Sequence, residues 1–304
     1  MSSLHGLLLV RKPSGMTSHD LVYQVRRALG IKEVGHAGTL DPLAEGLMVL
    51  LLGEATKMSS YVLEQDKQYE VEFKPGIETD TLDITGAILQ ERPVTLSNEE
   101  IIAEALKLHG DFVWEVPMYS ATKVGGKKLY EQARAGETPV MIPKKSMSFW
   151  GVEYLEGRDG QKFRFRLNCS KGSFIRTWVQ QLGQTLGFGA VMTGLCRTYS
   201  APYSLDRAID LKDLSPEIGS DRSGAFISLL AALPHFKTIR VSGHSEGLIK
   251  NGQISHELRR QLIVAFDPEK DQGVKVISQR PEELLALVGL EKEKGFVVRR
   301  VFRY

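Results

Sequence analysis

An α+β fold is predicted for this chain by three observations. Apolar and alternating runs of strand length recur along it, capped helical periodicities are set between those runs, and short β-rich runs dominate beyond a boundary near residue 235 that follows a breaker-rich stretch at Pro216–Gly224. The 304 residues are enough for two domains on a prior of about 150 residues each. The composition shift divides them into 1–234 and 235–304.

The elements follow in order. Leu7 to Lys12 is a short apolar run stopped by Pro13-Ser14-Gly15, a buried strand and its turn. Thr17 or Ser18 caps a helix carrying Leu21, Val22, Val25, Ala28 and Leu29, and Gly30 stands where a left-handed C-terminal residue belongs. Next comes a Gly35–Gly46 loop holding the carboxylate of Asp41. Gly35 and Gly38 permit positive φ or close backbone approach, and Pro42 biases Asp41 away from helical geometry. Local chemistry leaves two readings open: Asp41 opens a turn and caps a helix running from Pro42, or it is a carboxylate held for chemistry.

Leu43, Leu47, Val49, Leu50 and Leu51 then bury the chain again, and Tyr69 to Phe73 alternates so that Tyr69, Val71 and Phe73 share one face. Ser97 to Leu108 is a helix opened by a Ser-x-x-Glu capping box. Lys123 to Pro143, with Gly125-Gly126, a short helix near Leu129–Ala135 and two prolines, reads as a long mobile insertion. Phe163 to Cys169 alternates as a strand and turns at Ser170–Ser173 into a helix ending at Gly187. That places Arg176 in a first helical turn beside a strand end, within reach of a loop carboxylate. Ile227 to Leu233 reads as an apolar helix stopped by Pro234. Ile239–Val241, Leu262–Phe266, Val274–Ile277 and Val297–Phe302 read as strands of a small β-barrel-like domain.

Composition removes several function classes. Cys169 and Cys196 have no Cys-x-x-Cys partner, which argues against a disulfide framework or zinc ribbon and suits a reducing compartment. No signal pattern or bilayer-length apolar run is present, so the expected address is the cytoplasm. Phosphate loops, dinucleotide fingerprints, nucleophile elbows and metal-ligand spacings are missing, so neither cofactor nor metal is expected. The net charge of +2 is unevenly spread. Pro117–Trp150 carries six Lys/Arg against two Asp/Glu, and His235–Tyr304 thirteen against nine, so the remainder is acidic. Such regions are footprints for a polyanion or simply solvated faces.

The Asp41 segment Gly35-His36-Ala37-Gly38-Thr39-Leu40-Asp41-Pro42 resembles the catalytic motif of the bacterial tRNA pseudouridine-55 synthase family. Similar family motifs follow the same order: Lys12-Pro13-Ser14-Gly15-Met16-Thr17-Ser18, Gly53–Lys57, Lys67-Gln68-Tyr69, Gly76 with Thr79–Asp83, Pro117–Ala121 and Cys169–Thr177. An ordered series covering nearly all of 1–234 is specific. It implies a catalytic domain built on a mixed, mainly antiparallel sheet flanked by helices, followed by a domain resembling the RNA-binding PUA domain.

The resemblance also implies roles. Asp41 is the nucleophile in a reaction that breaks an N-glycosidic bond, turns the uracil and rejoins it through C5, with no redox cofactor or metal. Arg176 holds that carboxylate charged and aimed through its planar fork. Tyr69 stacks on the uracil and takes part in proton transfer from C5, and Leu195 lines the pocket. His36 fills the gap left by the extruded base. Lys123, Lys127 and Lys128, on a thumb-like insertion at about 123–143, meet RNA phosphates, and Lys12 joins the substrate-binding set. The expected partner is the tRNA T-arm stem-loop, bound by a monomer without a protein partner. The chain starts just before its first motif and ends with its barrel, favouring a stand-alone enzyme over a guide-RNA-dependent relative or a non-catalytic tRNA-folding helper. Phe174 departs from the usual tyrosine, Thr122 from an apolar residue and Lys144-Lys145 from Arg-containing sequence.

Overall fold

The computed structural model describes residues 4–137, 141–156, 163–218 and 224–304; the part of the 123–143 insertion at 138–140 lies outside them. A large mixed sheet is the frame. Its main path runs Ile209–Asp210, Gly6–Lys12, Glu45–Leu52, Ala190–Ser200, Lys67–Pro75, Phe163–Cys169, Lys144–Leu155, Gly110–Glu115. Every neighbouring pair on this path is antiparallel except Gly6–Lys12 with Ile209–Asp210 and Glu45–Leu52 with Ala190–Ser200. The nearly unbroken apolar runs Gly6–Lys12 and Glu45–Leu52 are covered on both faces, whereas the alternating Lys67–Pro75 buries one face and half-covers the other.

Three helices flank this sheet where local chemistry directs them. Ser18–Leu29 begins at a Thr17–Asp20 capping box and ends at a left-handed Gly30. Asn98–Lys107 begins at the Ser97–Glu100 box. Ile175–Leu186 presses Trp178, Val179 and Leu182 into the core, with the Trp178 indole donating to Leu108 O at 2.9 Å.

The structure departs from the sequence reading at three places. Asp41-Pro42 opens no helix: Ala44 N donates to Asp41 O at 3.0 Å in a turn, and the chain enters strand Glu45–Leu52. Ile227–Leu233 is not a helix either, because Phe226–Ser228 pairs antiparallel with Gly6–Leu8 and the chain then turns. A free sheet edge outweighed a seven-residue apolar run that Pro234 prevents from lengthening. Leu262–Phe266 is the end of helix His256–Ala265, not a strand. Ser255 caps that helix, Leu258 and Leu262 are buried four residues apart, and Ile263 and Val264 remain 65% and 88% exposed.

The C-terminal residues build an open four-stranded sheet, ordered Lys237–Val241, Val274–Ser278, Leu284–Glu291, Gly295–Val301. Its parallel first pair is joined through helices Gly243–Lys250 and His256–Ala265. Ile277, Leu284, Leu287 and Phe302 of this part share a core with Leu7, Leu9, Leu47, Val49 and Leu51 of the large sheet.

Candidate active site

Asp41 sits in a loop with little freedom. Ser18 Oγ donates to Leu40 O at 3.0 Å and accepts from Leu40 N at 2.9 Å, Gly15 N donates to Pro42 O at 2.8 Å, and Ser14 Oγ donates to Leu43 O at 2.7 Å. Gly46, at the loop's end, has φ +102°, and a Cβ there would lie 2.5 Å from Arg197 O, so no other residue fits without displacing backbone. Lys12 belongs to the same scaffold. Its ammonium is buried and donates to the carbonyls of Pro13, Pro42 and Ala44. Burial drives its pKa down to about 8, against the pull of nearby Asp41. Expected among the substrate contacts, Lys12 instead has no exposed surface and spends its donors on the loop that carries Asp41.

Arg176 meets Asp41 from the first turn of helix Ile175–Leu186. Its Nε lies 2.9 Å from Asp41 Oδ2 and its Nη2 3.3 Å from Oδ1, a two-pronged pair. The arginine side chain is 5% exposed and that of the aspartate 34%. Nη1 also donates to Thr81 O and Nη2 to Tyr119 O, each at 2.9 Å. The guanidinium is therefore fixed before any substrate arrives, and the carboxylate keeps an open side.

Asp41, Arg176, Tyr69 and Leu195 line one pocket of about 150 Å³, together with Thr39, Leu40, Ser120, Ala121, Ser173, Phe174 and Ile175. Tyr69 and Leu195 lie on neighbouring antiparallel strands, and each is 9% exposed. Burial pushes the Tyr69 phenol up, while Arg197 pulls the other way through charge and a hydrogen bond. The pocket thus offers a clamped carboxylate, an aromatic face and an aliphatic wall, enough to hold a flat base beside a sugar carbon. No cluster of metal-ligating side chains occurs among the described residues.

The remaining expected residues lie outside the lining. His36 ends strand Val34–His36, its ring edge-on to His19 at 5.8 Å, and burial lowers its pKa with the help of positive charge from His19 and Arg197. Lys123 and Lys128 pair across a two-stranded hairpin with Val124 and Lys127, ahead of helix Leu129–Arg134. Lys127 Nζ is 3.2 Å from Glu137 and Lys128 Nζ 3.6 Å from Glu131. No described residue of the 123–143 insertion lines the pocket, although Ser120 and Ala121 just ahead of it do. Sequence reasoning gave Arg197 no role, although the structure places it beneath the site. Its one signal was a charged residue two positions from Leu195, hence on the same strand face as the pocket wall.

The class that fold and site define is that of the pseudouridylate synthases. Residues 26–175 match the family model described as TruB family pseudouridylate synthase, N-terminal domain. The protein called tRNA pseudouridine synthase B in Bdellovibrio bacteriovorus is 53% identical over 306 aligned residues, spanning 100% of this chain and 98% of that protein. Its counterpart in Geobacillus thermodenitrificans is 39% identical, over 94% and 95%. The chain belongs to the TruB family of pseudouridylate synthases. The same fold is seen in a crystal structure of a Cbf5–Nop10–Gar1 complex, at TM-score 0.66 and 22% identity over 98% of this chain and 84% of that one. It is seen again in an H/ACA ribonucleoprotein bound to a substrate RNA containing 2′-deoxyuridine, at TM-score 0.67 and 22% identity over 99% and 86%.

Proposed function

We propose that this protein converts uridine 55 in the T-loop of tRNA to pseudouridine, with Asp41 as the nucleophile. The observation that carries the reading is the two-pronged Asp41–Arg176 pair opening on a pocket that also holds Tyr69 and Leu195. The flipped uracil stacks on Tyr69 against Leu195, which sets the sugar C1′ beside Asp41. As the N1–C1′ bond breaks, the carboxylate takes C1′, the uracil turns, and C5 displaces the carboxylate to form the new C–C bond. C5 then loses its proton by way of Tyr69 and N1 gains one, so the change is an isomerisation with no net redox or hydrolysis.

Around that centre, Arg176 and Lys12 hold the nucleophile and its loop, and His36 fills the place of the extruded base. Lys123, Lys127 and Lys128 of the 123–143 thumb meet stem phosphates. Residues 1–234 form the catalytic unit and 235–304 an RNA-binding unit. The enzyme works in the cytoplasm as a monomer on the T-arm, without a guide RNA or protein partner. The large sheet and compact pocket suit a folded RNA read by shape and backbone with one base drawn out.

The test is pseudouridine mapping in a T-arm minihelix incubated with purified protein and no guide RNA. Wild type should convert uridine 55 of the T-loop, and Asp41→Asn should bind the minihelix yet make no product. Turnover by Asp41→Asn would overturn the assignment. A protein that binds without turnover would be the folding helper, and one needing an added guide the guide-dependent relative.

A further inference from the structure

Arg197 takes no part in the reaction as described, yet its setting is costly. The side chain is 1% exposed, and among the described residues it forms no ion pair. A guanidinium does not shed its proton at such depth, and burying a charge without a counter-ion is strongly unfavourable. Its donors go instead to Leu47 O from Nε at 2.7 Å, and from Nη2 to Gly38 O at 3.3 Å and Met48 Sδ at 3.1 Å. In the sheet its register partner is Tyr69. Gly38, with φ +102°, lays the Asp41 loop on the guanidinium so closely that a Cβ there would be 3.3 Å from Nη1. One buried cation therefore touches the strand behind the site, the loop bearing the nucleophile and the aromatic facing the substrate.

We propose that Arg197 is a positioning residue of the isomerisation, orienting the Tyr69 hydroxyl and supplying the positive charge against which that oxygen takes the C5 proton. This rests on the function proposed above. The C5–H electron pair returns to the ring and the C5 proton goes to Tyr69 Oη as that hydroxyl passes its own proton to solvent, while N1 takes one proton from solvent, so Tyr69 ends as the phenol it began as. Three groups act most strongly on the Tyr69 phenol, Arg197 from strand Ala190–Ser200, Cys169 from strand Phe163–Cys169 and Asp41 from its loop, while Arg176, clamped on Asp41, lines the same pocket. Burial pushes the Cys169 thiol up to about 12, so it stays neutral, and the Asp41 carboxylate opposes a second negative charge. Arg197 is the one of the three that favours it. The same charge is felt by Lys12, His36 and Lys67, all shifted toward their neutral forms, with burial the larger cause in each.

The experiment compares single-turnover rates on the T-arm minihelix across pH for wild type, Arg197→Gln and Arg197→Lys, each alone and combined with Tyr69→Phe. Folding is checked by circular dichroism and binding by titration. Arg197→Gln should bind the minihelix within about twofold of wild type and react about a hundredfold more slowly at neutral pH, with its rate profile displaced to higher pH. Arg197→Lys, which keeps the charge, should lose about tenfold or less and retain the wild-type profile. In the Tyr69→Phe background, Arg197→Gln should cost little more, because the hydroxyl it serves is gone. The proposal is overturned if folded Arg197→Gln turns over as wild type, or slows by the same factor with and without the Tyr69 hydroxyl. Should Arg197→Gln fail to fold, Arg197→Lys decides by the same comparison between the two backgrounds. Absence of product from wild type would instead sink the function on which the proposal rests.

Discussion

At the residue scale, Asp41 and Arg176 are unequal partners. The arginine has two backbone carbonyls besides the carboxylate and stays fixed without it, whereas the aspartate has one face toward the pocket. Asp41→Asn should therefore abolish turnover while costing only about 1–2 kcal/mol of stability, a few degrees in a thermal melt. Loss of activity through unfolding would contradict this. Lys12 gives a pH signature. Its folded pKa is about 8 against an ordinary 10.5, so between those values the unfolded chain holds more protons and the contribution of Lys12 to stability rises with pH. The buried Cys196 thiol, pushed up to about 11, and Cys169 act the opposite way from their ordinary value of 9.0 upward. The measurement that isolates Lys12 is the difference in denaturant stability between wild type and Lys12→Met, which should increase from pH 8 to pH 10.5. The sequence placed Arg176 in a first helical turn near a loop carboxylate. It could not show the two carbonyls that complete the grip, because Thr81 and Tyr119 are 95 and 57 residues away.

At the element scale, the loop ending at Gly46 tolerates little change. Gly46→Ala combines a left-handed φ with a clash against the backbone of Arg197. It should cost about 3 kcal/mol or more, read by chemical denaturation, and take activity with it. The thumb should behave in the opposite way. Replacing Lys123, Lys127 and Lys128 with Ala removes surface charges, of which only Lys128 is half-buried and held by Tyr130 and Glu131, so the fold should survive and tRNA affinity should fall. The slope of log affinity against log salt should flatten by about 0.7–0.9 for each phosphate that is no longer neutralised, with turnover at saturating tRNA near wild type. Capped helices were legible because Thr17, Ser97 and their acidic partners are local. Ile227–Leu233 and Leu262–Phe266 were misread because a short apolar run has no conformation of its own until a sheet edge or a neighbouring face is supplied.

At the scale of the whole molecule, the C-terminal sheet sends some of its apolar residues into the core shared with the large sheet and packs the others, with its helices, into a core of its own. Ile277, Leu284, Leu287 and Phe302 cover apolar residues on the back of the large sheet, each worth about 1.5–3 kcal/mol when buried. Polar ties reinforce the seam: Lys57 Nζ donates to Val301 O at 2.9 Å, and Arg303 N donates to Glu54 Oε2 at 2.7 Å. A chain truncated after residue 234 should consequently melt lower and aggregate more readily than the full chain, as light scattering during a thermal ramp would show. An independent catalytic unit with unchanged melting would refute that coupling.

By itself the sequence determined the local alphabet of this protein and its family: the capped helices, the alternating strands, the ordered motifs and the candidates Asp41, Tyr69, Arg176 and Leu195. Each of these is written in residues a few positions apart or in a motif read as a unit. Only the tertiary structure decided that the Lys12 ammonium is buried on the carbonyls of the Asp41 loop, that one face of the C-terminal sheet joins the core of the large sheet, and that a buried Arg197 lies against both Tyr69 and the Asp41 loop. Those facts depend on burial and on contacts between segments far apart in the chain, where desolvation makes the same side chain a solvated charge in one fold and a fixed support in another.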